Sequence, residues 1–392
     1  MRPSLLLCTA TSPRIKFTAV EISKLRTAFE ETTGEDLQWF FDQWFLQRGH
    51  PELKITHIYT NGQVQLRVQQ TQDTVFQPVF RLPVAVTVWQ QNQATDHRIT
   101  ITKTDETFTL PASTAPSLVK FDSEAQLLAQ LDETLSQEEL LFQFYHARNY
   151  LQKYEALDLV QHKATDAAVG TLYRAALADK FYAVRCAALD HLRGFRGPNA
   201  AAIRAEVRRL ATADPHPAVR AQALTTLATF ASDDYDATYQ AALRDSSYQV
   251  EAAAVAALAK KPSAAARSTL AALDNTTNSG LLVALADYYA RHGSRAQAPW
   301  FLRHLPDLTD VDLYTYVQSL GDFLATQPVR ERAQGVLAMQ NLARTQLQYF
   351  VRIGAYQALS LLLPTQPDLL PVMLDIKNHE ADERVKAAYN AM

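Results

Sequence analysis

Glycine and cysteine are scarce in this sequence of 392 residues, at 11 and 2 respectively. With so little glycine there is small room for loops that cradle phosphates, and neither a phosphate-binding loop, a dinucleotide fingerprint nor a G-x-S-x-G elbow occurs. Two cysteines, Cys8 and Cys186, cannot build a disulfide framework or a thiolate metal site. An excess of one charge is also missing. A net charge of −3 and a pI near 6.4 give no field that would draw the chain to nucleic acid or an anionic membrane, so neither is an expected partner. No apolar run approaches the ~20 residues of a membrane span. The ten histidines never fall in metal-ligand spacing, and His57 and His97 read as satisfied or solvated side chains. What is present is ordinary globular material, 47% hydrophobic and 20% charged with mean hydropathy −0.18, long enough for two or three domains.

The opening Met1-Arg2-Pro3-Ser4-Leu5-Leu6-Leu7-Cys8 carries three leucines where a secretory segment needs roughly 7–15 apolar residues, and Leu7 is the wrong neighbour for a lipidated Cys8. Residues 1–16 read as a disordered leader, or as the ragged start of a chain whose parent extends further upstream. A cytoplasmic location is favoured on this reading, and a periplasmic or exported one if the true N-terminus lies upstream.

Residues 17–51 hold two punctuated helices. Thr18 and Glu21 form a capping-box pattern with Phe17 and Ile22 as a hydrophobic staple, which predicts a helix from about Ala19. Thr33 and Asp36 repeat the box. The second helix is expected to carry Leu37, Phe40, Phe41, Trp44 and Phe45 on one face and to close at Arg48, Gly49 and Pro51. Glu30-Glu31 and Glu35-Asp36 are paired carboxylates, but at helix ends capping and the macrodipole account for them.

The run Gly34-x-Asp36-Leu37-x-x-Phe40-Phe41-x-Gln43-Trp44, followed by Gly49-x-Pro51 and a strand, resembles the end of the catalytic domain in aminopeptidase N-like zinc metallopeptidases. In that family the segment closes a thermolysin-like domain, and a small β-sandwich and a long helical domain follow. The resemblance implies removal of N-terminal residues from peptides, with zinc as the cofactor of the complete family member. The family's H-E-x-x-H and G-x-M-E-N segments are absent from this sequence, so no catalytic or metal residue is assigned and the chain is expected to be inactive on its own.

From Leu53 the period becomes two. Leu53–Tyr59 and Val64–Gln69 flank Asn61-Gly62, a type I′ hairpin signal; further strands are predicted at Val79–Trp89, Arg98–Thr102, Thr107–Leu110 and Ser117–Phe121. A small β-sandwich over 52–122 follows. Pro83 predicts an edge position or a bulge for the third strand. Residues 123–135 read as a linker, and Ser136 with Glu139 opens a helical, alanine-rich region to 392.

That region repeats. Asp179, Tyr182, Val184, Arg185, Ala188 and Leu189 recur as Asp214, Pro217, Val219, Arg220, Ala223 and Leu224, then as Asp245, Tyr248, Val250, Glu251, Ala254 and Val255. Weaker echoes are Tyr349, Val351, Arg352 and Ala355, then Val385, Lys386 and Ala388. The first three valines are 35 and 31 residues apart. The pattern resembles the HEAT repeat, an α-solenoid in which the Asp is expected as helix N-cap, the Val as packing anchor and the basic residue as a reach to the preceding turn's acid. Arg204, Arg208 and Arg209 share one helix face, read as solvated.

The fold class expected is therefore multidomain α+β: the helical end of a peptidase-like domain (17–51), a β-sandwich (52–122), a linker (123–135) and a HEAT-like solenoid (136–392). The function expected is the capping and scaffold portion of an aminopeptidase N-like exopeptidase, partnered by peptide or by a catalytic peptidase domain. The alternative is a non-catalytic protein-interaction scaffold on the same fold.

Overall fold

The computed structural model describes residues 21–161, 166–230, 235–260 and 264–392, with backbone alone for 264–266. The leader at 1–16, Cys8, Phe17 and Thr18 lie outside the described residues. The chain forms two compact units, Met1–Ala147 and Arg148–Met392.

In the first unit, helix α1 spans Ile22–Thr33. Glu21 is extended and the helix begins at Ile22, with no side chain capping it; the expected start near Ala19 lies outside the described residues. Gly34 ends it at φ +74°, a left-handed conformation that glycine adopts without steric cost, and its N–H donates to the Glu30 carbonyl at 2.8 Å. The second expected capping box does not form. The Thr33 hydroxyl turns back to donate to the Phe29 carbonyl at 2.8 Å, and Asp36 accepts the Gln38 N–H at 2.9 Å inside an intervening turn. Helix α2, Gln38–Phe41, is only one turn long and runs into a π-helical turn, Asp42–Leu46, closed by the Gln47 N–H on the Asp42 carbonyl at 2.9 Å. The extra residue in that turn breaks the single apolar face expected for a regular helix.

Seven strands follow: β1 Glu52–Thr60, β2 Gln63–Gln70, β3 Leu82–Gln90, β4 Gln93–Ile101, β5 Asp105–Pro111, β6 Leu118–Lys120 and β7 Gln130–Glu133. They form one sheet of order β5-β2-β1-β7 and another of order β4-β3-β6. Asn61 and Gly62 both have positive φ at the β1–β2 hairpin, as a type I′ turn requires, and Gln91 with Asn92 does the same between β3 and β4. The two sheets share one core: Leu53, Ile55, Val64, Leu66 and Val68 face Val84, Val86, Val88, Ile101 and Phe121, all buried. Each such side chain contributes about 1.5–3 kcal/mol by leaving water. β3 is central in its sheet, but β6 pairs only with Thr87–Trp89, so Pro83, opposite Thr100 of β4, has no strand on its other side.

The expected linker is partly a strand. β7 pairs parallel with β1 in register Leu53↔Leu131, and the buried Lys120 ammonium meets the Glu133 carboxylate, tying β6 of one sheet to β7 of the other. Helix α3, Gln137–His146, opens with the expected capping box: Ser136 Oγ accepts the Glu139 N–H at 3.2 Å and Glu139 accepts the Ser136 N–H at 2.9 Å. It belongs to the first unit rather than to the helical region, because Glu139 bonds His57 of β1 at 3.0 Å and Phe142 packs on Trp89.

The second unit is a stack of helices in two rows. One row is α4 Tyr150–Val160, α6 Tyr182–His191, α8 Pro217–Leu227, α10 Tyr248–Leu258, α12 Ser279–His292, α14 Asp310–Thr326, α16 Tyr349–Ser360 and α18 Glu383–Asn390, each packed on the next. The other holds α5 Ala167–Leu177, α7 Ala200–Ala213, α9 Asp236–Ala242, α11 Ala264–Ala271, α13 Ala298–His304, α15 Ala333–Thr345 and α17 Leu370–His379. Val184, Val219, Val250, Val351 and Val385 are all buried, one on each of five first-row helices. Among the described residues no helix is long and apolar enough to cross a membrane.

Candidate functional site

The aromatic hairpin is held to the sandwich by amide side chains. Residues 78–81 lead into β3 without strand partners; Phe80 is buried and the peptide groups beside it are partly covered, so they require other donors and acceptors. Three buried glutamines supply them. Gln43 accepts the Arg81 N–H at 2.7 Å and donates to its carbonyl at 3.2 Å; Gln70 does the same to Phe80 at 2.9 and 2.8 Å; Gln72 donates to the Pro78 carbonyl at 3.0 Å and accepts the Glu52 N–H at 3.3 Å. The clasp fixes Phe80 where Trp44 packs on it, ring centroids 5.7 Å apart, and sets the Arg81 guanidinium over Trp39 at 4.4 Å. Gln43 and Trp44, neighbours in sequence, thus dock the hairpin together.

The other motif residues divide by role. Gly34 and Asp36 shape the turn between α1 and α2, and Leu37 donates its N–H to the Glu30 carboxylate at 3.0 Å, which gives that acid a structural task. Phe41 is buried, edge-on to Phe29 at 6.1 Å and stacked on Phe45 at 5.0 Å. Gly49 has φ +89° and packs against Gln77; Pro51 is buried, and its carbonyl accepts the Gln130 N–H of β7 at 2.9 Å. Phe40, Phe45 and Leu46 remain 36%, 47% and 69% exposed, and with Ile22 they leave uncovered apolar surface on the hairpin.

In the second unit the repeated residues form a ladder of ion pairs. The acids are not N-caps. Asp179, Asp214 and Asp245 each stand two residues before the capping position and accept the N–H of Phe181, His216 and Ser247 at 2.8–2.9 Å, as Asx turns. The basic residue reaches back only for carbonyls: Arg185 donates to Asp179 O at 2.8 Å and Arg220 to Asp214 O at 2.9 Å. The acid it grips is the following one. Arg185 is bidentate on Asp214 at 2.8 Å, Arg220 on Asp245 at 2.8 and 2.7 Å, and Arg352 on Glu380 at 2.9 and 3.2 Å. The Arg220 hydrogen bonds hold the Asp245 carboxyl below its usual range.

Lys153, which the sequence pattern did not single out, makes the first rung with Asp179. Glu251 occupies the rung position with the wrong sign and makes no ion pair among the described residues; burial and the nearby Asp245 push its carboxyl above the ordinary value. Of the basic face on α7, Arg209 pairs with Glu206 at 2.6 Å and Arg204 lies over Phe230, 5.9 Å from its ring centroid. Among the described residues no three His, Cys, Asp or Glu side chains are grouped to hold a metal ion.

With this architecture in view, solved structures offer a comparison. Aminopeptidase A of Legionella pneumophila, crystallised with aspartic acid, superposes with a TM-score of 0.57 over 95% of this chain at 12% identity. The chain has an aminopeptidase-like fold. It spans 52% of that protein's length. YibA of Escherichia coli aligns over 66% of this chain and 92% of its own, at 16% identity and a TM-score of 0.44. No protein-family model matches the sequence, and no curated protein matches it. The aminopeptidase-like fold here consists of the glutamine-docked hairpin, the two-sheet sandwich and the stacked helices.

Proposed function

We propose that this chain is the C-terminal capping and scaffold portion of an aminopeptidase N-like exopeptidase, working with a catalytic domain that it does not itself contain. The observation that carries the reading is the agreement of two independent features. The chain matches an aminopeptidase structure over nearly all of its own length while spanning about half of that protein, and the motif from Gly34 to Pro51 forms one docked element at the start of the sandwich. The hairpin is the last element of the thermolysin-like domain, and its exposed Phe40, Phe45 and Leu46 are the surface on which the rest of that domain sits. The stacked helices are HEAT-like, and in this role they cap the cavity so that peptide N-termini enter and longer stretches do not.

The residues present do not fit the zinc ion of that family: no donor set is grouped for it among the described residues, and the sequence lacks H-E-x-x-H. No chemical step is therefore assigned to this chain. The purified protein, assayed for bound zinc and for hydrolysis of aminoacyl-nitroanilides, is expected to give neither; metal-dependent turnover would overturn the account. The second reading, a non-catalytic interaction scaffold, is favoured by the regular helical stack, which offers a long surface without chemistry. The coding sequence upstream separates the two, since a frame carrying H-E-x-x-H supports the first reading and unrelated sequence supports the second.

A further inference from the structure

Strand β4 runs for nine residues along the edge of its sheet and pairs with β3 alone among the described residues. Which of its backbone groups face outward follows from the other side of β3. There Ala85 and Trp89 give their carbonyls to the Ser123 and Ser117 N–H at 3.0 and 2.8 Å, so Val84, Val86, Val88 and Gln90 are the residues that bond to β4, with Gln90 and Gln93 closing the two-residue turn. The N–H and C=O groups of Ala94, Asp96, Arg98 and Thr100 therefore point away from the sheet, and β4 has neither a proline nor a bulge to guard them. The other edges are guarded. β6 and β7 have only three and four residues, and β5 carries Pro111 and the adjacent acids Asp105 and Glu106.

We propose that β4 pairs antiparallel with β4 of a second copy of this chain about a two-fold axis at His97, joining the two three-stranded sheets into one of six strands. Charge selects both the occupant and the register. With His97 set on its counterpart, Asp96 lies opposite Arg98 of the second copy, Arg98 opposite its Asp96, and Ala94 and Thr100 opposite each other at the two ends. All four outward-facing residues then exchange backbone hydrogen bonds, about eight across the pair. Sliding one copy by two residues sets Asp96 on Asp96 or Arg98 on Arg98 and shortens the ladder, and like charges directly opposite are destabilising. Sliding by one residue sets outward groups against inward ones.

The side chains allow it. Asp96 and Arg98 are exposed on the same face of β4, where Asp96 accepts the Thr87 hydroxyl at 2.6 Å and Arg98 reaches Glu124 at 2.6 Å. Both keep those contacts in the pair, because a carboxylate accepts several hydrogen bonds and a guanidinium has five N–H to give. Arg98 then stands between Glu124 and the second copy's Asp96, acids on both sides. On the opposite face Thr95 meets Ile99 of the second copy, and Ile99, half-buried at the rim of the sandwich core, gains cover. A single charge on an edge strand repels any strand that approaches. Two of opposite sign, two residues apart, repel most strands and admit their own copy. The pairing uses no residue of the hairpin.

Sedimentation velocity of the whole chain in roughly 50 mM salt, where surface charges are weakly screened, is expected to show a dimer that dissociates on dilution. Asp96→Arg and Arg98→Asp each set like charges across both symmetry-related pairs and weaken the dimer about tenfold or more. An equimolar mixture of the two variants recovers association, since every reversed charge then meets its opposite, and a chain carrying both substitutions associates as the parent does. Hydrogen exchange on the parent locates the contact and carries the test if a variant fails to fold: the amides of Ala94, Asp96, Arg98 and Thr100 are protected at high concentration and exchange on dilution, while those of Thr95, His97 and Ile99 are protected at both. A chain that stays monomeric up to about 0.5 mM overturns the proposal. So does a mixture of the two variants that stays monomeric, or a dimer that neither reversal weakens, including one lost only on Leu46→Glu, which lies on the hairpin instead.

Discussion

Replacing Arg185 with methionine tests how much the ion-pair ladder holds the helical unit together. The guanidinium is bidentate on Asp214, donates to two carbonyls of the preceding loop, and leaves only 10% of its side chain and 3% of that of Asp214 exposed. Removing the cation strands a buried carboxylate. Breaking a buried pair from one side costs about 3–5 kcal/mol, and part of that persists because Asp214 still accepts the His216 N–H and so cannot simply turn to solvent. Arg67 and Asp105 make the same bidentate pair on the sandwich surface, with side chains 51% and 43% exposed. Arg67→Met should therefore change stability little, since water screens the pair and replaces it on loss. The two units need not unfold together, so hydrogen exchange is followed separately in α6–α8 and in β2–β5 during denaturant titration. The Arg185 variant is expected to lose protection in the helices alone, and Asp214→Asn placed on top of it should recover part of the loss. If Arg67→Met costs as much as Arg185→Met, or if the double variant is worse than the single by the full additive amount, burial is not what gives the ladder its strength.

Gln43→Leu leaves the Arg81 N–H and carbonyl unpaired beneath the hairpin, a loss of about 1–3 kcal/mol for the first unit, with Trp44 emission shifting to the red as the hairpin loosens. Lys120→Met takes away the cation facing the buried Glu133 carboxylate, which still accepts the Phe121 N–H at 2.9 Å, and should lower the unfolding temperature of the sandwich much more than Arg98→Met, whose partner Glu124 is at the surface. Glu251→Gln should stabilise the helical unit at neutral pH. Its raised carboxyl binds a proton more tightly folded than unfolded, so ionisation opposes folding; the stability is fully present below the unfolded value and is lost as pH rises through the folded one. Thermal melts of the variant and the parent should therefore converge near about pH 3 and separate at pH 7.

Much of the local architecture was legible in the residues. Period-two alternation gave the first two strands their faces, Asn61-Gly62 their turn, and Ser136 with Glu139 the start of a helix, because each depends on contacts within a few residues. Val184, Val219, Val250, Val351 and Val385 are buried. Where sequence expectation failed, a local signal met a choice it could not make. Thr33 and Asp36 have capping-box spacing, yet Gly34 ends α1 between them and the threonine hydroxyl serves the helix behind it. β7 was hidden because Gln130–Glu133 is polar and short, and only pairing along β1 makes it a strand.

The sequence by itself determined most of the elements, their order and the period of the repeat, since propensity, turn chemistry and apolar spacing act along the chain; β7 and the π-helical turn at Asp42–Leu46 are the exceptions. The tertiary structure alone decided the partners. Gln43, Gln70 and Gln72 look like surface residues until residues 78–81 pass beside them with unpaired backbone, and the direction of each arginine, forward to the next acid, exists only once helices are stacked. Side-chain amides and guanidiniums reach across distances that sequence separation does not encode, so their roles appear when the chain has folded back on itself.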